Sequence, residues 1–167
     1  MAQPLKEMIN AASVGVLADG VAAAWAPFPR DRFVSEAAAG LEGLELKDRV
    51  RHAARALDAA LALPFPRAAE VLRDAAARTR LDMWSGWPAT EYVGLRGLGH
   101  LDEAMATLAA LTPYATGEFA VRPYLDRHRD DALKIMYGWA ESDDEHVRRL
   151  ASEGSRPRLP WGRGCAG

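Results

Sequence analysis

Cysteine, long apolar runs and alternating strand patterns are scarce or missing in this chain, and each shortage removes a class of protein. The one cysteine, Cys165, rules out an intrachain disulfide and a cysteine zinc cluster. It fits a reducing compartment, and the N-terminus carries no leader-like cationic stretch and apolar run, because Glu7 follows Lys6 and Asp19 interrupts the apolar residues from Ala11 to Trp25. The expectation is a cytoplasmic protein with no membrane partner. No apolar stretch is long enough to span a bilayer. β-Branched residues are sparse while alanine and leucine dominate, which makes the composition all-α.

Catalytic signatures are equally thin. His52, His100, His128 and His146 are scattered, with no pair at i, i+3 or i, i+4, so the expectation is no metal and no cofactor. Gly94-x-x-Gly97-x-Gly99 follows no strand and lacks the Lys-Ser/Thr pair of a phosphate loop. No serine sits in a nucleophile elbow. What remains is carboxylate chemistry or pure binding. A net charge of −2 means that a polyanion must be held by a local patch, and His146–Gly167 supplies one with five arginines against one acid.

The 167 residues suit one domain, 1–161, with a flexible tail at 162–167. Apolar spacing and punctuation predict helices over Ala12–Trp25, Asp31–Ala39, Leu46–Leu63 and Pro66–Arg80. After a connector holding Trp84 and Trp87, further helices are predicted over Ala89–Leu95, Leu101–Leu111, Gly117–Asp126, Asp130–Glu141 and Asp143–Glu153. The last of these should be opened by a capping box of Ser142 and Glu145, and should bury Val147, Leu150, Ala151 and Gly154 on one stripe. Trp25 and Trp139 read as core, while Trp84, Trp87 and Tyr92, in and after the connector, either close the core or face a ligand, with core the favoured reading. Short helices with short turns fit a closed bundle or a curved solenoid. The recurrence of acid and base in Glu118–Arg122 and Glu145–Arg149, with Asp144-x-x-Val147-Arg148-x-x-Ala151, favours a HEAT-like α-solenoid of short paired helices.

Glu118 and Glu153 are the candidate acids. Each also has a plain structural reading, as an i, i+4 ion pair with Arg122 or Arg149. Glu153 precedes Arg156, Arg158 and Trp161, a combination of cations and an aromatic plane that suits phosphate and a base or sugar face. The plain reading of that segment is a connector in which Pro157 and Pro160 stop a helix and Trp161 packs beneath it.

The segments Met1–Asn10, Leu44–Arg49, Thr116–Pro123 and His146–Trp161, the last ending in Arg156-Pro-Arg-Leu-Pro-Trp161, resemble the AlkC branch of the bacterial DNA alkylation-repair glycosylases. The resemblance runs almost from end to end. It implies a solenoid whose concave face grips double-stranded DNA containing alkylated bases, and monofunctional hydrolysis of the N-glycosidic bond of bases such as 3-methyladenine and 3-methylcytosine, without metal and without flipping the base into a pocket. Glu153 would be the principal catalytic carboxylate and Glu118 the second. Arg149 and Arg156 would face DNA, with Trp161 near the damaged nucleotide, and Arg148 and Arg158 belong to the same basic cluster. Family members continue with further repeats beyond the Trp161 motif, so the expectation is impaired activity, or self-association or a partner at an open C-terminal end. The alternative is a HEAT-like scaffold that binds without turnover.

Overall fold

The structure is a computed structural model that describes residues 4–157. Arg158, Trp161, Cys165 and the proposed tail at 162–167 therefore lie outside the described residues. Among those described there are nine α-helices and no strand: α1 Ala11–Ala24, α2 Arg30–Ala38, α3 Leu46–Leu61, α4 Phe65–Arg78, α5 Met83–Arg96, α6 Leu101–Leu111, α7 Arg122–Arg127, α8 Arg129–Trp139 and α9 Glu145–Gly154. The fold is an all-α, HEAT-like solenoid. Helix α1 packs on α2, α4 and α5, α3 packs on α2 and α5, and α6 packs on α4 and α5. Helices α7, α8 and α9 then extend the array one after another.

Alanine makes the early packing possible. Ala18, Ala37, Ala53, Ala54, Ala68, Ala69 and Ala75 are nearly or fully buried, and between them Leu17, Leu57, Leu72 and Phe33 fill the space. Small side chains let helix axes approach, while the larger ones supply apolar area at about 25 cal/mol per Å². Arg49 is buried as well, and its guanidinium donates to the carbonyls of Leu44, Lys6 and Ile9, fixing the N-terminal turn to α3.

The sequence-predicted helices for the first four segments agree with the structure to within about two residues, and Leu101–Leu111 agrees at both ends. Three expectations are corrected. The Trp-rich connector is itself helical: α5 begins at Met83, because the Asp82 carboxylate accepts from Trp84 N and Ser85 N while Ser85 Oγ accepts from Asp82 N. That reciprocal cap outweighs the helix-breaking tendencies of Gly86 and Pro88. Residues 117–121 form turns, and α7 starts only at Arg122. Helix α9 is capped by Asp144, whose carboxylate accepts from His146 N and Val147 N; Ser142 instead accepts from Asp144 N.

Among the described residues the buried tryptophan is Trp87, at 5% exposure, and Tyr92 of the same helix is buried in the main core cluster. Trp25, Trp84 and Trp139 are partly buried against the core. Among the described residues no helix is long and apolar enough to cross a membrane.

Candidate active site

Helix α9 presents two different edges. Val147, Leu150, Ala151 and Gly154 are buried against the array, as the stripe predicts, while His146, Arg149 and Glu153 line a cavity of about 320 Å³ with Leu150. The opposite wall comes from the turn segment 112–118, including Tyr114, Thr116 and Glu118, and from Met83 at the start of α5. Two carboxylates distant in sequence thus meet in one recess.

Close backbone approach sets this geometry. A Cβ on Gly154 would stand 2.8 Å from Val121 Cγ2 and 3.1 Å from Met136 Cε, so hydrogen at this position lets the end of α9 seat against α8 and the turn. Likewise, a Cβ on Gly94 would stand 3.2 Å from Ala120 Cα, which brings the turn onto α5. Thr90 Oγ1 lies within hydrogen-bonding distance of the carbonyls of Trp87 and Thr116, at 3.0 and 3.2 Å, and Glu118 N donates to Thr116 Oγ1 at 3.2 Å. Tyr124, buried in α7, donates its hydroxyl to Val93 O at 2.6 Å. The turn that carries Glu118 is therefore held to α5 on both sides.

The two acids have different environments. Burial raises the Glu118 carboxyl above the usual range, and hydrogen bonding to Glu153 and that residue's negative charge raise it further, against the opposing pull of Arg149 and Arg122. The Glu153 carboxyl is held below the usual range, chiefly by its hydrogen bond from Arg149, then by hydrogen bonding with Glu118 and by the charges of Arg149 and Arg156. Arg149 Nε donates to Glu153 Oε2 at 3.0 Å. Glu153 is the more ionised member of the pair, and Glu118 is the one that retains a proton more readily. Two carboxyls in contact with unequal proton affinity can divide labour between a fixed negative charge and a hydrogen-bond donor.

Not every residue of the basic cluster shares this recess. Arg148 projects elsewhere and donates to the carbonyls of Ser142 and Asp143 at 2.7 and 2.9 Å, holding the loop before α9. Arg156 lies just past the helix, with its backbone N–H donating to Glu153 O at 3.3 Å and its charge acting on the Glu153 carboxylate. The Glu153–Arg149 pair forms, and the charge of Arg122 acts on the Glu118 carboxyl although α7 begins only at Arg122.

No family model matches the chain. The uncharacterized protein YhaZ of Bacillus subtilis (strain 168) is 38% identical over 162 residues, covering 95% of this chain and 44% of YhaZ. A solved structure of the Pseudomonas fluorescens alkylpurine DNA glycosylase AlkC, bound to DNA containing an abasic site analog, matches with a TM-score of 0.88 and 33% identity, over 98% of this chain and 45% of that one. Over the length it spans, the chain belongs to the AlkC-type family. It spans a little under half the length of each of these relatives.

A second feature of this AlkC-type chain escapes a reading by motif. Helix α3 places Lys47, Arg51 and Arg55 on the wall of another cavity, of about 340 Å³, whose remaining walls include Trp87, Glu91, Phe119 and Arg122. The signal was present as cations at i, i+4 and i+8 in the sequence, a spacing that aligns side chains on one helical face. It is masked there by Asp48 and Glu45 in the same segment and by distance from the basic C-terminal motif.

Proposed function

We propose that the chain hydrolyses the N-glycosidic bond of cationic, N-alkylated bases in duplex DNA, with Glu153 as principal catalytic carboxylate and Glu118 as its partner. The observation that carries this reading is the meeting of the two acids in one recess, with the proton affinity of Glu153 lowered by Arg149 and that of Glu118 raised by burial. A base alkylated at a ring nitrogen such as N3 of adenine is already positively charged and leaves without being protonated. The enzyme's task is then to stabilise positive charge developing on the sugar and to place water, which an ionised carboxylate performs by electrostatic attraction and by accepting a hydrogen bond from the water. Arg149 favours the ionised form of Glu153, and the contact with Glu118 fixes the orientation of that carboxyl.

The relative AlkC, solved with DNA containing an abasic site analog, is consistent with this chemistry, because an abasic site is what base release leaves. Arg149 and Arg156, which flank Glu153, supply charge for phosphate contacts, together with Arg158 from the same motif, and Trp161 offers an aromatic face for the damaged nucleotide; Arg148 serves the loop before α9 first. The reaction proposed draws on carboxylate and arginine side chains and needs no metal or cofactor.

The test is release of free 3-methyladenine or 3-methylcytosine from methylated duplex DNA in the presence of a chelator, followed by chromatography, with strand integrity checked on a denaturing gel. The expected result is free base and an intact strand carrying an abasic site. Binding without release, in a chain that melts cooperatively, would leave a non-catalytic DNA-binding scaffold as the correct reading.

A further inference from the structure

We propose that Phe119 is a positioning residue for base release: seated on the Trp87 indole, its ring sets where Glu118 stands against Glu153. The inference rests on the two-carboxylate reading above and extends it to a side chain outside the recess. Although adjacent in the turn, Glu118 and Phe119 line different cavities, Glu118 the recess under α9 and Phe119 the cavity along α3. Fixing one side chain therefore aims the other. The Phe119 ring lies nearly parallel to Trp87, with centroids 5.7 Å apart and planes at 19°, and the Lys47 ammonium stands 4.1 Å from its centre. Both rings floor the cavity along α3. Trp87 is itself held, because it is buried with Ile9, Val50 and Ala115 in a small apolar cluster separate from the main core.

The rest of the turn shows why this one ring matters. From Ala115 to Ala120 the chain lies along α5: a Cβ on Gly86 would stand 2.8 Å from Ala115 Cβ, Thr90 Oγ1 reaches Thr116 O at 3.2 Å, and a Cβ on Gly94 would stand 3.2 Å from Ala120 Cα. Those contacts fix the two ends of the segment. In its middle Gly117 has no side chain and a Cβ there would stand 3.2 Å from Leu150 Cδ2 of α9, while the Glu118 carboxyl is turned to Glu153. Phe119 supplies the side-chain tie from that middle to α5. A shift of about 1 Å carries two carboxyls out of hydrogen-bonding range, so a small slip of the turn undoes their contact. The other titratable and charged groups around the pair are Arg122 on α7, His146 and Arg149 on α9, and Arg156 just beyond it.

Single-turnover base release from methylated duplex at saturating DNA, across a pH series, tests this on the full chain. Phe119→Ala and Phe119→Leu are compared with wild type and with Phe28→Leu, a main-core ring outside both cavities. Phe119→Ala should lower the rate about tenfold to a hundredfold with duplex affinity within about twofold of wild type, the loss that an ångström-scale misplacement of a reacting group brings. Its acid limb should also move to higher pH, because contact with Glu118 helps to hold the Glu153 carboxyl below the usual range. His146 and the arginines are intact in every variant, so a displaced limb reports the carboxyl pair. Phe119→Leu, which keeps apolar bulk on Trp87, should recover part of the rate, and Phe28→Leu should lose stability while keeping the wild-type pH profile. A folded Phe119→Ala with the wild-type rate and acid limb would overturn the proposal, as would a rate loss no larger than the unfolded fraction seen by circular dichroism. If wild type releases no base, the glycosylase reading fails, and carbon NMR titration of the Glu118 carboxyl decides the positioning role separately. The raised carboxyl should then fall toward the ordinary range in Phe119→Ala, and an unaltered titration would sink the role of the ring.

Discussion

The two cavities on either side of the Glu118–Phe119 turn differ in how their charges are held. In the recess under α9, the acids are partly buried, touch one another and are constrained by Arg149 and by a glycine-dependent helix contact. Along α3, Lys47 and Arg51 are half-buried and Arg55 is exposed, with Arg51 shared between Glu91 and Asp48 and Arg55 in no ion pair among the described residues. Preorganised charge in a recess favours a transition state, because the cost of orienting it is met during folding. Mobile surface charge favours adaptable, salt-sensitive affinity for a polyanion. On the proposed function, action on a lesion in long DNA would benefit from both.

The comparison breaks most easily at Glu153. Glu153→Gln keeps the shape and removes the charge, so base release should fall by about 10²–10³-fold, in the range seen when a single electrostatic stabiliser is lost, while duplex affinity measured by anisotropy stays close to wild type. Equal loss in both measurements would mean that Glu153 is a structural partner of Arg149 and nothing more. Arg149→Ala with Arg156→Ala should weaken duplex affinity with a shallower salt dependence and should also lower base release, because Arg149 favours the ionised form of Glu153.

Next in size is the helix seat. Gly154→Ala drives a methyl into Val121 and Met136, and should lower stability by about 1–3 kcal/mol in chemical denaturation while moving Glu153 off Glu118. Activity should then drop by more than the fraction unfolded can explain. The α3 row lies outside this contact, so the salt slope of DNA binding should persist in the folded fraction.

The cap of α9 gives a smaller effect. Asp144→Ala should cost about 1 kcal/mol, as loss of an N-cap acceptor does, whereas Ser142→Ala, which removes one loop hydrogen bond, should cost less than half of that.

The smallest effect concerns Glu118 and carries a sign that ordinary surface acids lack. Its folded-state carboxyl binds protons more tightly than the unfolded one, so its contribution to stability is favourable below the unfolded pKa and is lost as pH rises through the folded value. Glu118→Gln should therefore raise the melting temperature slightly at pH 7, and the advantage should vanish as the pH approaches 4. Glu153 runs the other way: its lowered folded-state pKa adds stability above the usual carboxylate range, lost as pH falls through that folded value. Melting curves of the two variants at both pH values would check the pair. Opposite slopes are expected.

Much of the architecture was legible because helices announce themselves locally. Pro27, Gly40 and Pro64 punctuate α1 to α4, and the stripe of Val147, Leu150, Ala151 and Gly154 located the buried edge of α9. Local signals also misled where two competed. Gly86 and Pro88 hid the start of α5, since the Asp82–Ser85 reciprocal cap is legible only once its geometry is known, and Ser142 with Glu145 presented a plausible cap two residues ahead of Asp144. Within the site, Glu118, Glu153, Arg149 and Arg156 were identified from motif and resemblance, and the structure gathers them around one recess or its rim. Arg148, equal to Arg149 in sequence terms, turns away because one residue of helix is a rotation of 100°.

The sequence by itself determined the all-α class, the order of most helices and the i, i+4 pair of Glu153 with Arg149, since each depends on residues within a few positions of one another. Only the tertiary structure decided that Glu118 meets Glu153, that their proton affinities diverge, and that the cations of α3 face the aromatic floor beside the turn. Those outcomes depend on which helices approach and how closely. That depends in turn on missing side chains at Gly94 and Gly154, whose effect exists only in the packed molecule.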